Sequence, residues 1–302
     1  MKSNIFNSYV NTRNMYYLQI FMTGGEIMQL NTTSYQSILD SLCNELDLNE
    51  QVILDTIDSG YYMFQQDHQI LYIDDLYECY FNIVKNHFKG HINKVSFYSI
   101  SRRLKDTDND GLSLLELLTE ENSFSNYLKE YGLTFKFDKE IEMYVNGNKV
   151  DIPDDNKYKP YLKYRFSYDY SFKGYAFDDQ LMNNEILERV KYGPEFFGHL
   201  FNYVDNDDEI IDNYLEQSKL YKFEYLVPIE DIYFENYEEL TNEEKQYHIL
   251  AMMMLRLYFY KYDKDFVETD EMNPLMVVAN YKSLSSKYLV NKNELDDEAL
   301  GY

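Results

Sequence analysis

Two kinds of apolar periodicity run along this chain, and they change over near residue 92. From Thr32 to Gly90 apolar residues recur every three or four positions, which predicts helices. Thr33 or Ser34 can cap a first helix carrying Ile38, Leu39, Leu42 and Leu46, and Asn49 a short second one through Ile53, Leu54 and Ile57 that stops at Ser59-Gly60. A third is predicted from Asp74 to Lys89, with Leu76, Tyr80, Ile83, Val84 and Phe88 as its stripe, ending at Gly90. Residues 28–92 thus read as a small helical subdomain.

From 93 to 302 the pattern is mixed and predicts an α+β domain. Val95–Ile100 and Tyr221–Val227 read as strands, with Ile229–Phe234 at the sheet edge. Leu133–Ile152 alternates as a hairpin turned at Asn146-Gly147. The most regular alternation lies in Tyr158–Lys173. Tyr158, Leu162, Tyr164, Phe166, Tyr168, Tyr170 and Phe172 share one parity; Lys157, Lys159, Lys163, Arg165 and Lys173 fall on the other. Side chains alternate across a strand, so this predicts a long β-strand with an aromatic and a basic face. Helices are predicted over Leu114–Thr119, Ser123–Tyr131, Asp179–Val190 and Glu209–Gln217. The capping box Thr241-x-x-Glu244 opens another, to about Tyr262, apolar nearly all round and suited to burial between layers or in an oligomer. Leu275–Ala279 and Tyr288–Val290 are weak strands, and the tail from Asn293 is expected to fray. The fold expected is α+β: a mainly antiparallel sheet with a long Tyr-rich strand, covered by helices.

Residues 1–27 stand apart. Gly24-Gly25-Glu26-Ile27-Met28 back-translates readily to a bacterial ribosome-binding site ahead of a start codon, so translation is expected to begin at Met28 and 1–27 to be upstream sequence. The alternative is an N-terminal arm.

Composition adds charge. The chain carries 53 Asp and Glu against 28 Lys and Arg, a net −25, which disfavours nucleic acid and anionic membranes and favours basic protein surfaces. Its 33 Tyr and 19 Phe suit a protein interface, though AT-rich coding also supplies them. Cys43 and Cys79 form no metal or redox motif and suggest reduced thiols in a cytoplasm. The best apolar run, His248–Tyr260, is too short to span a bilayer and contains Arg256.

Candidate chemistry is sparse. Asp106-Thr107-Asp108-Asn109-Asp110-Gly111 matches the opening of a calcium loop, with Asp106, Asp108 and Asp110 as ligands. Leu114 and Leu117 then occupy positions where ligands belong, and an acidic turn is the competing reading. Asp205, Asp207, Asp208 and Glu209 form the densest acidic run, a contact for a basic partner or a solvated start to the next helix. Lys163 and Arg165 are expected to pair with Glu140 and Glu142 across the sheet; the alternative is an anion-binding stripe. Ser99-Ile100-Ser101 followed by Glu140-Ile141-Glu142 resembles the Ser-x-Ser strand and Glu-x-Glu loop of ADP-ribosyltransferases, which implies an enzyme or a degenerate relative. No nucleophile elbow or glycine-rich phosphate loop is present.

In size, acidity and aromatic content the chain resembles phage anti-defence proteins, including inhibitors of the anti-Gabija type that enclose a DNA-cutting complex. That resemblance implies a non-enzymatic, cytoplasmic interaction protein whose partner is a basic, nucleic-acid-binding protein. Self-assembly into a homo-oligomer is a third expectation, suggested by the apolar helix.

Overall fold

The computed structural model describes residues 30–66, 73–152, 159–184, 187, 189–200, 203–204, 207–263, 272–279 and 282–296. Residues 1–27 and Asp205 lie outside them. Three helices come first: α1 (Tyr35–Leu46), α2 (Glu50–Gln66) and α3 (Ile73–His87). Ser34 caps α1, its hydroxyl accepting from the Ser37 amide. Helix α2 does not stop at Gly60. That glycine sits inside it, where an added Cβ would come within 3.0 Å of the Tyr80 hydroxyl and 3.1 Å of Leu76 on α3. Close helix packing, not termination, is what Gly60 serves.

A six-stranded antiparallel sheet has the order β7-β8-β5-β1-β6-β9. Its members are β1 (Lys94–Arg103), β5 (Lys173–Tyr175), β6 (Lys219–Pro228), β7 (Ile232–Phe234), β8 (Leu275–Val278) and β9 (Leu289–Leu295). Strand β9 pairs with β6 out to Leu295↔Leu220, so residues 293–295 are held in the sheet rather than frayed. A separate three-stranded sheet joins β2 (Leu133–Asp138), β3 (Glu140–Val145) and β4 (Asn148–Lys149). Its first turn is at Lys139, with φ of 68°, and Asn146-Gly147 makes the second turn, into β4.

The long aromatic strand is not there. Residues 159–167 form helix α6 (Lys159–Ser167), and only Lys173–Tyr175 is strand. The reason is hidden in the alternation itself. Leu162, Phe166 and Tyr170 share a parity but also recur every four residues, and all three are buried. Tyr164 and Tyr168, of the same parity, are 55% and 69% exposed. A two-residue period contains a four-residue one, and the second fits a helix face. Pro160 falls in the first turn, where its missing N–H costs nothing.

The short helices α4 (Leu114–Thr119), α5 (Ser123–Glu130), α7 (Phe197–Leu200) and α8 (Asp207–Gln217) pack with α6 and the small sheet into a second core. Of the helix expected over Asp179–Val190, the described residues show Leu187 as helical, with 3₁₀ turns at Leu181–Asn183 and Arg189–Tyr192.

Helix α9 (Asn242–Tyr262) starts at the foreseen capping box: Thr241 Oγ1 accepts from the Glu244 amide and Glu244 Oε2 accepts from the Thr241 amide. It lies between the sheet and α1–α3, sharing one core with Ile38, Leu42, Tyr80, Phe97, Phe223 and Tyr225. The apolar surface that suggested an oligomer contact is therefore covered within the chain. Arg256, 1% exposed, is tied to Asp179 on the far side of this helix, its Nε 3.3 Å from Asp179 Oδ2.

Candidate functional site: an arginine-lined cleft

Strand β1 is paired with β6 along its whole length, from Lys94↔Pro228 to Arg103↔Lys219. On its other edge β5 meets it only at Tyr98↔Tyr175. From Ser99 to Arg103 that edge has no strand beside it among the described residues, and a cleft of about 480 Å³ opens there. Its walls come from both cores: Ser99–Leu104 of the large sheet, the start of α5, Arg165 of α6, and Pro194–Phe196.

Six arginines occur in the whole chain, and Arg102, Arg103 and Arg165 line this one cleft. With Lys173 they make four basic lining residues against four acidic ones, Asp108, Asp110, Glu121 and Glu195. Acidic residues outnumber basic ones 53 to 28 overall, so the cleft is basic relative to the rest of the molecule.

The arginines are held differently. Arg102 is buried, donating from Nε to the Lys191 carbonyl at 2.5 Å and from Nη1 to the Ser218 carbonyl at 3.1 Å, so its guanidinium is committed to the fold. Arg103 donates from Nη2 to the Asp110 carbonyl at 3.3 Å and lies 4.9 Å from the centre of the Phe223 ring. Arg165 Nη1 contacts Asp169 Oδ2 at 2.5 Å, and the same oxygen is 3.1 Å from Lys173 Nζ, which also reaches Glu235 at 2.6 Å. Burial pulls the Lys173 pKa down, but Glu235 and Asp169 outweigh it and hold the ammonium above its ordinary value. Ser101 Oγ, Arg103 Nε and Arg165 Nε are enclosed and lack a hydrogen-bond partner. An unmatched buried donor costs about 1–3 kcal/mol, more on a charged group. All three belong to residues that line the cleft.

Placement of the sequence candidates is uneven. The three aspartates of the acidic turn are each drawn to a different neighbour. Asp106 accepts from the Tyr221 hydroxyl at 2.5 Å, which holds its carboxyl below the usual range, helped by Lys219. Asp108 accepts from the Lys105 amide and the Ser123 hydroxyl, and Asp110 from the Ser286 amide at 2.6 Å. Among the described residues no group of three or more His, Cys, Asp and Glu side chains comes together. Asp207 begins α8, and Asp208 and Glu209 are exposed on its first turn.

Ser99 and Ser101 do line the cleft. Glu140 and Glu142 do not: they lie on the small sheet, with Glu140 receiving Lys163 at 2.7 Å and Ser167 at 2.8 Å, and Glu142 receiving Lys149 and Tyr144. The anticipated Lys163–Glu140 pair thus exists, reached from a helix instead of a neighbouring strand. Arg165, expected on the same face, turns to Asp169 and the cleft.

Sequence reasoning missed the cleft because its arginines are 62 positions apart and share no motif. One signal was available. Arg is scarce, six residues in the chain, and its rigid, multi-donor guanidinium offers contacts that Lys does not.

Comparison with protein-family models, with curated proteins and with solved structures finds no match. No helix among the described residues is long and apolar enough to cross a membrane.

Proposed function

We propose that the protein binds a small phosphate-bearing anion in the β1 cleft, with Arg103 and Arg165 as the principal contacts. The observation that carries this reading is the gathering of half the chain's arginines in one cleft, with donors there left unmatched. Guanidinium forks match phosphate oxygens in pairs, and a partly enclosed site strengthens each contact. Arg102 fixes the wall from behind. Lys173, bridged by Asp169 to Arg165, adds a further cation to the wall. The test is calorimetric titration of the full chain with inorganic pyrophosphate and tripolyphosphate. Saturable binding that is lost in Arg103→Gln and Arg165→Gln supports the reading; no heat with either anion at millimolar concentration rejects it.

A second reading is favoured by the net charge of −25 and by exposed Asp208 and Glu209. In it the chain is a non-enzymatic inhibitor whose acidic exterior is steered onto a basic, nucleic-acid-processing defence complex, as the resemblance to anti-Gabija proteins implies. Association with a purified Gabija complex should slow as salt rises. Neutralising Asp205, Asp207, Asp208 and Glu209 together should flatten that dependence, and an unchanged rate at low salt removes the cluster from the interface.

A further inference from the structure

The cleft is more than a basic patch, because its other walls are of a different kind. Beyond Tyr98 the open edge of β1 faces it, and a strand edge presents main-chain N–H and C=O groups in alternation. Such groups need partners when enclosed, and a phosphate can satisfy only the donors among them. Aromatic side chains lie alongside. Phe124 and Phe196, both buried and packed edge to face at 6.0 Å, line the cleft with Phe172, which stacks on Phe97 at 5.5 Å. Gly111 makes room for Phe172, since a Cβ there would fall 2.3 Å from its ring. Exposed Glu121 and Glu195, the second already accepting from the Tyr161 hydroxyl, add carboxylate acceptors suited to hydroxyl groups.

A ligand that uses all of these surfaces needs a polyanionic end, hydroxyls beside it, and a flat ring with both donors and acceptors on its rim. We infer that the cleft takes a nucleotide, with its phosphates against Arg103 and Arg165 and its base against the open β1 edge at Ser99–Ser101. The inference rests on the reading that the cleft binds an anion, and adds which anion. About 480 Å³ lies within the range of roughly 300–1,000 Å³ usual for small-molecule sites. The base lies between main-chain edge and phenylalanine side chains, so base and phosphate contribute together, with Ser101 in the wall beside them.

Titration of the full chain with each of the four ribonucleoside triphosphates, tripolyphosphate and adenosine separates the parts. At least one nucleotide should bind about tenfold or more tighter than tripolyphosphate, a gap of about 1.4 kcal/mol. Ser101→Val, which fills the cleft beside the strand edge, should weaken the nucleotide and leave tripolyphosphate unchanged. Arg165→Gln should weaken both, with Arg103→Gln standing in should that variant lose its near-ultraviolet circular dichroism. Tripolyphosphate binding as tightly as every nucleotide overturns this inference and leaves the anion reading standing. Failure of every phosphate compound to bind overturns both.

Discussion

Single residues in this protein carry costs that are visible in their surroundings. Glu45 on α1 is 8% exposed, its Oε2 has no hydrogen-bond partner, and burial pushes its carboxyl above the ordinary value. A raised carboxylate pKa means the folded state holds the proton more tightly than the unfolded one. Stability therefore falls as pH rises from the ordinary value through the raised one, and the loss is complete above it. Glu45→Gln should raise the thermal midpoint near pH 8, and the gain should shrink by about pH 3, where both states of the wild type are protonated. A gain independent of pH would point to packing rather than charge. His248 shows the opposite sign. Its Nδ1 is 2.7 Å from the Tyr77 hydroxyl, and burial pulls its pKa down to about 3. The unfolded chain binds that proton more readily, so the contribution is whole above the ordinary value of about 6.5 and drains away as pH falls toward about 3. Urea unfolding of His248→Phe should have a shallower slope across that window than the wild type.

At the level of elements, burial decided what periodicity left open. Tyr158–Lys173 alternates well enough for a strand, yet its buried members are spaced by four, and no test on the sequence alone tells which aromatic residues will be covered. Helix α9 had no such ambiguity of conformation: its capping box and all-round apolar character specify a buried helix, and the fold chose burial between layers over an oligomer contact. The charge buried on it has a consequence. Arg256→Ala would remove the cation from Asp179, leaving its carboxylate with the Tyr260 hydroxyl, and should cost about 3–5 kcal/mol in urea unfolding. Strand β5 is short and depends on a close approach. A Cβ at Gly174 would meet Phe97 at 2.2 Å and the Tyr98 carbonyl oxygen at 2.5 Å. Main chain cannot step aside, so Gly174→Ala should destabilise by about 1–3 kcal/mol or more, read from the denaturant midpoint, and should disturb the cleft next to it.

For the whole molecule, the net charge of −25 sets the electrostatics outside the cleft. Like charges repel across the folded surface, and the repulsion is screened as the Debye length falls from about 30 Å at 0.01 M salt to about 8 Å at 0.15 M. Raising sodium chloride across that range should therefore raise the melting temperature. The phosphate binding proposed for the cleft should weaken over the same range, so the two salt responses have opposite signs and can be measured on one preparation.

Local information in the sequence was enough for the α+β class, for most strand positions, for the capped helix α9 and for the acidic character of the exterior. Each of these depends on residues a few positions apart or on totals. What tertiary structure alone decided is the helix at Lys159–Ser167, the passage of α2 through Gly60, and the meeting of Arg103 with Arg165 at a strand edge that β5 leaves uncovered. Those outcomes depend on which surfaces distant segments bury against one another, and a one-dimensional pattern does not contain that choice.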